Sequence, residues 1–255
     1  MARSITYTSL PGIPLVYPGD DICRFIKAGL TKAAIVLQDG DIIVIAQKII
    51  SKSENRYVNL ADVIPSARAL ELAEITGKDA RLVEVVLGES TEVLRAKKNV
   101  MIVAHRLGFV MANAGIDQSN ITQASGTDQV LLLPVDSDAS CRAIKVTLDR
   151  EFAVRIGVII NDSFGRAWRQ GVVGVALGAA GIPSLQSLIG SPDLFGRPMK
   201  VTEVAIGDEL AAAASLLMGQ GAEGTPIVHI RGFQNNETEN DAATLIRPKH
   251  MDMFR

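Results

Sequence analysis

Cysteine, histidine and aromatic residues are scarce in this 255-residue sequence, which holds two cysteines, three histidines and one tryptophan, with Phe, Trp and Tyr together making up 4%. Cys23 and Cys141 stand alone, with neither a C-x-x-C pair nor a companion histidine. A disulfide framework or a thiolate zinc site therefore has no basis, and both residues are expected as buried thiols. His105, His229 and His250 are scattered, which gives no support to a histidine metal site or a nucleophilic triad. An excess of charge of one sign is missing too. The formal net charge is -2 and the pI is about 6.0, so nothing attracts nucleic acid or an anionic membrane globally. No apolar run approaches the roughly 20 residues of a membrane span, and Met1-Ala2-Arg3-Ser4 leads into a short alternating strand instead of a signal-peptide core, which places the chain in the cytoplasm. Neither GxxxxGK[ST] nor GxSxG occurs, which excludes the standard P-loop and the hydrolase nucleophile elbow.

What the sequence has in quantity is aliphatic residues. Hydrophobic residues make up 47% of it, enough for a large core filled by Val, Ile, Leu and Ala rather than by rings. The length fits one large domain or two intimately packed subdomains over residues 1–233, followed by a polar C-terminal tail at 234–255. A strand at 5–10 runs into the rigid turn Pro11-Gly12-Ile13-Pro14, and a helix starts near Asp20. Residues 42–50 are too apolar for an exposed strand and read as a buried one that delivers Gln47, Lys48 and Lys52 at its far end.

Two helices follow, with Pro65 in a first turn, Gly77 as a C-cap, and Leu82, Val85, Val86 and Val93 on a helical stripe. Strands are expected at 100–104, 109–112, 130–133, 154–160, 199–206 and 226–231, and helices from Asp136-Ser137-Asp138 to about Phe152 and from 208 to 218. Gly171, Gly174, Gly178 and Gly181 let backbones approach closely, and the segment from Gly232 to Asp241 is polar enough for a loose loop. This alternation predicts an α/β or α+β fold with a mixed sheet and flanking helices.

Three polar, glycine-bearing loops sit beside strongly hydrophobic elements, where a rigid scaffold aims side chains at a ligand. In Asn113-Ala114-Gly115-Ile116-Asp117-Gln118-Ser119-Asn120, Asp117 offers carboxylate oxygens to a hard cation and Asn120 a hydrogen bond to a base or sugar, although from pattern alone an Asx-turn and helix cap is the plainer reading. In Asn161-Asp162-Ser163-Phe164-Gly165-Arg166-Ala167-Trp168-Arg169, a carboxylate and a hydroxyl side by side suggest a magnesium or manganese clamp, with Arg166 and Arg169 for phosphate oxygens. A capped turn with solvated arginines and a packed Trp168 is the plain alternative.

The third loop is Gly219-Gln220-Gly221-Ala222-Glu223-Gly224-Thr225, which matches GxGxxG. It follows a helix and precedes a strand, the reverse of the order a dinucleotide fingerprint needs, so the fold is not Rossmann. Backbone amides there can still wrap phosphates or a base. Lys48 and Lys52 suit phosphates as well, against the commoner role of lysines as solvated surface.

Together these segments resemble the coenzyme F420 gamma-glutamyl ligase family, whose hallmarks appear as Pro11-Gly12-Ile13-Pro14, Ile50-Ser51-Lys52, the loop from Asn113 to Asn120 and the Asp162-Ser163-Phe164-Gly165-Arg166 run, in order, across residues 5–233. The resemblance implies a homodimer with a fold of its own and a site in a groove near the subunit interface. It implies Asp117, Asp162, Ser163 and Gln220 around divalent magnesium or manganese, with a monovalent cation as a further candidate. GTP would be held by Pro11, Gly12, Ile13, Pro14, Gln47, Lys48, Lys52, Asn120, Met218, Gly219, Gln220, Gly221, Ala222, Glu223, Gly224 and Thr225. Arg166 and Arg169 join Asp117 and Asp162 as catalytic candidates.

The implied reaction joins L-glutamate to a carboxylate of coenzyme F420-0 through an acyl phosphate made from GTP, and some members add further γ-linked glutamates. Asn161, Ser163 and Asn55 depart from commoner family residues, and Asn55 is expected to keep a left-handed turn. No flavin is expected. A ligase of the same scaffold acting on another carboxylate, and a nucleotide-binding module without turnover, are the rival expectations. The paired acids count against the second.

Overall fold

The computed structural model describes residues 3–121, 128–234 and 237–253. In chain order it forms β1 (Thr6–Ser9), α1 (Ile22–Lys32), β2 (Ile42–Ala46), α2 (Gln47–Ser53), β3 (Tyr57–Asn59), α3 (Ala67–Thr76), α4 (Ala80–Gly88), β4 (Ser90–Lys97), β5 (Val100–His105), β6 (Val110–Ala112), β7 (Gln129–Leu131), α5 (Ser137–Phe152), β8 (Gly157–Arg166), β9 (Arg169–Ala180), β10 (Gln186–Ser187), β11 (Glu203–Val204), α6 (Ile206–Met218) and β12 (Ile227–Arg231). No described helix is long and apolar enough to cross a membrane.

The central sheet runs β1-β12-β2-β8-β9, with β2 and β8 parallel and every other pair antiparallel, so the fold is mixed α+β. Strand alternation sorts its aliphatic residues to two faces. Ile43 and Ile45 of β2 join Ile26 and Leu30 of α1 and Leu148 of α5 in one core, while Ile42 and Val44 join Leu210, Ala211 and Ala214 of α6 in another. A third core lies under the β4-β5-β6 sheet, where Leu72 of α3 and Val83 and Val86 of α4 meet Met101 and Val103. Side-chain caps set the helix starts. Asp21, Ser66, Asp79 and Asp136 accept from main-chain N–H groups at the heads of α1, α3, α4 and α5. Gly77 ends α3 in the left-handed region at φ 68°, as its sequence position suggested. Pro65 sits just before the Ser66 cap rather than inside the first turn.

Several expectations are corrected. The apolar run 42–50 is not one strand. It breaks at Ala46, and α2 carries Gln47, Lys48 and Lys52, because Ile49 and Ile50 join the core below the helix and Gln47 Nε2 donates to Ser51 Oγ one turn on at 2.6 Å. Val93 lies in β4 rather than on a helical stripe. The polar segment after Ile160 is not a loop: β8 continues through Asp162 and Ser163 into a hairpin with β9, with a register shift between Ile160 and Asn161. The strand expected at 199–206 shrinks to β11.

Gly174 and Gly178 serve packing. A Cβ at Gly174 would collide with Ser215 and the Ala211 carbonyl of α6, and one at Gly178 with the Ser137 backbone of α5. The polar C-terminal segment is docked from Asn240 onward. Asp138 accepts from Ala179 N and Ala242 N at 2.8 and 2.9 Å, and Asn240 Oδ1 accepts from Leu185 N at 2.9 Å. Residues 122–127 of the expected loop at 115–128, and 235–236, 254 and 255 of the expected tail, lie outside the described residues. Cys23 and Cys141 are free and buried, and Asn55 takes the left-handed conformation at φ 55°.

Candidate active site

The site forms where the parallel pair β2 and β8 ends, with Ala46 beside Asn161 in the register. Side chains leaving the carboxyl ends of adjacent parallel strands converge on one crevice, which is where ligands bind in open sheets. A cavity of about 730 Å³ opens there. It gathers Ile13 and Pro14 from the first turn, Gln47, Lys48 and Lys52 from α2, Asp117 and Asn120, Asp162 and Ser163 from β8, and Met218, Gly219, Gln220, Gly221, Ala222, Gly224 and Thr225 around the C-terminus of α6. Pro11, Gly12, Glu223, Arg166 and Arg169 are not among its lining residues.

Asp117 is aimed by a strained turn. Asn113, Ala114 and Gly115 take successive left-handed φ values of 50, 53 and 65°, a conformation that costs about 1–2 kcal/mol at each non-glycine residue. Asn113 compensates by accepting from Met101 N at 3.2 Å, and Asp117 is then locked by paired backbone bonds with Leu131 at 2.9 and 3.0 Å. Its Oδ1 lies 3.2 Å from Lys48 Nζ, which also donates to Ser119 O at 3.1 Å. Burial pushes the Asp117 carboxyl up, and Lys48 and Lys52 pull it back only in part. Burial, followed by the charge of Asp117, raises Asp162 to about 7. A buried carboxylate whose ionisation a second carboxylate opposes is one that a nearby cation would stabilise in its charged form.

Lys52 is no solvated lysine. It is 8% exposed, its Nζ donates to Asn120 O at 2.7 Å, and burial followed by Lys48 repulsion lowers its pKa. Asn120, left-handed at φ 54°, donates from Nδ2 to Gly221 O at 3.1 Å and so ties the Asp117 turn to the glycine-rich loop. That loop follows α6 and precedes β12. The exposed Glu223 folds back on the loop, its carboxylate accepting from Gly221 N at 2.8 Å, and Thr225 Oγ1 donates to Leu217 O at 2.9 Å. Gly12 O accepts from Lys32 Nζ at 3.2 Å. Arg166 and Arg169 flank the exposed turn at the far end of the β8–β9 hairpin. Trp168, expected in packing, is 87% exposed there.

Among the described residues no three His, Cys, Asp or Glu side chains cluster as a metal cage. Asp117, Asp162 and the Ser163 hydroxyl are hard oxygen donors, and two carboxylates suit a magnesium or manganese ion that keeps waters and shares phosphate oxygens. The donor set therefore fits such an ion. Residues that sequence reasoning did not assign to the site include Ser119, which anchors Lys48, and Ser215, which lies under Asn161. Ser215 sits in an Ala-rich helix with no local signal. Asn161 had one, as a polar residue directly after an apolar strand.

The sequence model of the family described as F420-0:Gamma-glutamyl ligase matches residues 12–232. The chain belongs to that family. Among ligase relatives, a coenzyme F420:L-glutamate ligase from Methanothermobacter thermautotrophicus is 45% identical over 253 residues, 98% of this chain and 99% of the relative. Ligases of the same name from Methanocaldococcus jannaschii and Methanopyrus kandleri are 45% and 43% identical, covering 86% and 94% of this chain and 86% and 93% of their own. Within this family framework, the matched span holds every cavity-lining residue named above.

Proposed function

We propose that this chain ligates L-glutamate to coenzyme F420-0 at the expense of GTP. The observation that carries this is the convergence of Asp117, Asp162, Ser163, Lys48 and Lys52 with the loop after α6 in one cavity, in a chain 45% identical along almost its whole length to a coenzyme F420:L-glutamate ligase. A carboxylate is a poor acylating agent, so amide formation requires activation. In the first step a carboxylate oxygen of the coenzyme bonds to the γ-phosphorus, the bond to the β–γ bridging oxygen breaks, and GDP departs. In the second the glutamate nitrogen bonds to the acyl carbon, phosphate leaves with the electron pair of the C–O bond, and one nitrogen proton is released.

Asp117, Asp162, Ser163 and Gln220 would hold magnesium or manganese, which supplies charge neutralisation at the transferring phosphoryl group. Lys48 and Lys52 orient the phosphates. The glycine-rich loop after α6, through its cavity-lining residues Gly219, Gln220, Gly221, Ala222, Gly224 and Thr225, encloses the rest of the nucleotide with Ile13 and Pro14. Assembly as a homodimer belongs to the same proposal. Mass spectrometry of a reaction with GTP, manganese, L-glutamate and coenzyme F420-0 tests it: glutamyl mass increments accompanied by GDP are expected and count the additions. Unchanged coenzyme there, with amide formed once another carboxylate is supplied in its place, would instead favour another acceptor.

A further inference from the structure

The β8–β9 hairpin runs from the cavity into solvent and ends in a cationic, aromatic turn. Asp162 and Ser163 of β8 and Val172 of β9 line the cavity, and Val172 pairs with Gly165, one residue short of Arg166. Arg166 and Arg169 pair across the ladder with Ala167 and Trp168 between them, and all four are exposed. Trp168 is the single tryptophan of the chain and is 87% exposed at φ 66°. Glycine takes that left-handed conformation freely and a bulky side chain does so at a cost, so reversal of the chain alone does not call for an indole there. The arginines carry uncompensated charge. Arg166 donates to Gly171 O at 3.4 Å, among the described residues neither arginine forms an ion pair, and the sequence holds no acid between Asp162 and Asp193.

We infer that this turn binds the acceptor of the ligation, Trp168 stacking on its flat ring and Arg166 and Arg169 pairing with its phosphodiester, a subsite that rests on the ligase reading above. Coenzyme F420-0 is a planar deazaflavin joined through a polyol chain to an anionic phosphodiester, beside which stands the carboxylate that reacts. With that carboxylate at Asp162 and Ser163, the rest of the molecule leaves the cavity, and the hairpin is the cationic, ring-bearing surface that continues from it. Ser163 and Arg166 are three residues apart, roughly 10 Å of extended strand, a span that long arginine side chains bridge to a phosphodiester next to the carboxylate. An indole face takes a flat heteroaromatic ring by stacking, and a guanidinium fork matches phosphate oxygens. The guanine of GTP is the other flat ring in the reaction, and on the reading above it is enclosed by the loop after α6 with Ile13 and Pro14. Glutamate has no ring.

Steady-state kinetics on full-length Trp168→Gly, on Trp168→Phe and on the double variant Arg166→Gln, Arg169→Gln, with each substrate varied in turn, test this beside sedimentation of each protein. Glycine keeps the left-handed turn, so Trp168→Gly is expected to melt close to the parent while its KM for the coenzyme rises roughly tenfold or more. Trp168→Phe recovers most of that loss. The arginine variant shows a similar rise and a weaker dependence of the coenzyme KM on salt. In all three the KM values for GTP and glutamate stay within about twofold of the parent. A deazaflavin riboside without the phosphodiester, used as a competitive inhibitor, loses affinity in Trp168→Gly and keeps it in the arginine variant. An unchanged coenzyme KM in Trp168→Gly, or an arginine variant that loses the riboside equally, overturns the inference. So does a uniform rise in all three KM values with altered sedimentation, which makes the turn a contact between copies of the chain. A parent that forms amide only with another carboxylate sinks the ligase reading and this subsite with it, whereas a parent that turns over coenzyme F420-0 no better than Trp168→Gly sinks the subsite alone.

Discussion

Lys52 Nζ reaches from α2 to the main-chain oxygen of Asn120 at 2.7 Å, and Asn120 in turn holds Gly221 O at 3.1 Å, so one buried lysine fixes two walls of the cavity. Its burial lowers its pKa and strips it of water, which strengthens any contact with a phosphate oxygen. Lys52→Ala is therefore expected to raise the KM for GTP roughly 10- to 100-fold, as the loss of a charge-assisted hydrogen bond implies. Lys52→Arg should recover only part of this, since the guanidinium cannot occupy the same cramped position. Steady-state kinetics with varied GTP decide the matter, and an unaltered GTP dependence would remove Lys52 from the nucleotide site.

Asp162 bears the opposite burden. Burial and the neighbouring Asp117 oppose its ionisation. Asp162→Asn should remove that repulsion and leave the metal-free protein at least as stable as the parent at pH 8, while lowering kcat by at least about 100-fold through loss of a metal ligand. Thermal melting with and without manganese, run beside the activity assay, separates the two effects. Near-normal turnover would refute the metal assignment, and a collapse of the metal-free fold would show that the carboxylate has a structural partner.

Most elements were legible because local chemistry and long-range packing agree in them. Asp136 caps α5, Gly77 ends α3, and the β-branched run of β2 has both faces buried. The misreadings share a cause. Gln47 begins a helix because Ile49 and Ile50 find a core below α2, and nothing before Gln47 in the sequence announces the break. Asn161-Asp162-Ser163 reads as a turn by composition, yet pairing with the glycine-rich β9 holds it extended. Family resemblance singled out the segments that meet in the cavity. The link between Asn161 and Ser215, 54 residues apart, depends on how α6 seats on β9, and no local pattern encodes it. Arg166, at the end of the family-like run, and Arg169 are expected at phosphate oxygens for their charge, and neither lines the cavity in the hairpin they occupy.

Gly115 tests the strained turn behind Asp117. Its φ is 65°, and an added Cβ would lie 2.6 Å from Met111 Cε and 3.0 Å from Leu133 Cδ2. Gly115→Ala is expected to cost about 1–3 kcal/mol of stability. Because the turn sets the position of Asp117, the apparent affinity for manganese should fall as well. Urea denaturation and a manganese titration of activity measure both. A variant with parental stability would mean that the turn relaxes freely, and the strain would then have no part in placing the carboxylate.

Asp41 gives the clearest dependence on pH. It is 2% exposed at the head of β2, receives Arg231 Nε at 2.9 Å and Gln38 N at 2.9 Å, and lies 2.9 Å from His229 Nε2. Burial alone would raise its pKa, but the hydrogen bonds from Arg231 and Gln38, with His229 close by, outweigh it and hold the carboxyl below its ordinary value of 3.8. A carboxyl whose folded pKa lies below its unfolded one adds stability that is complete above the unfolded value and is lost as pH falls through the folded one. Asp41→Asn should therefore destabilise the protein by about 3 kcal/mol at pH 7, where it breaks a buried charged network. The gap between variant and parent should narrow as the pH drops below about 4, where the parent's own carboxyl takes up a proton. Denaturant unfolding of both proteins across pH 3 to 8 measures that gap, and a gap of constant size would show that Asp41 stabilises the sheet by shape rather than by its charge.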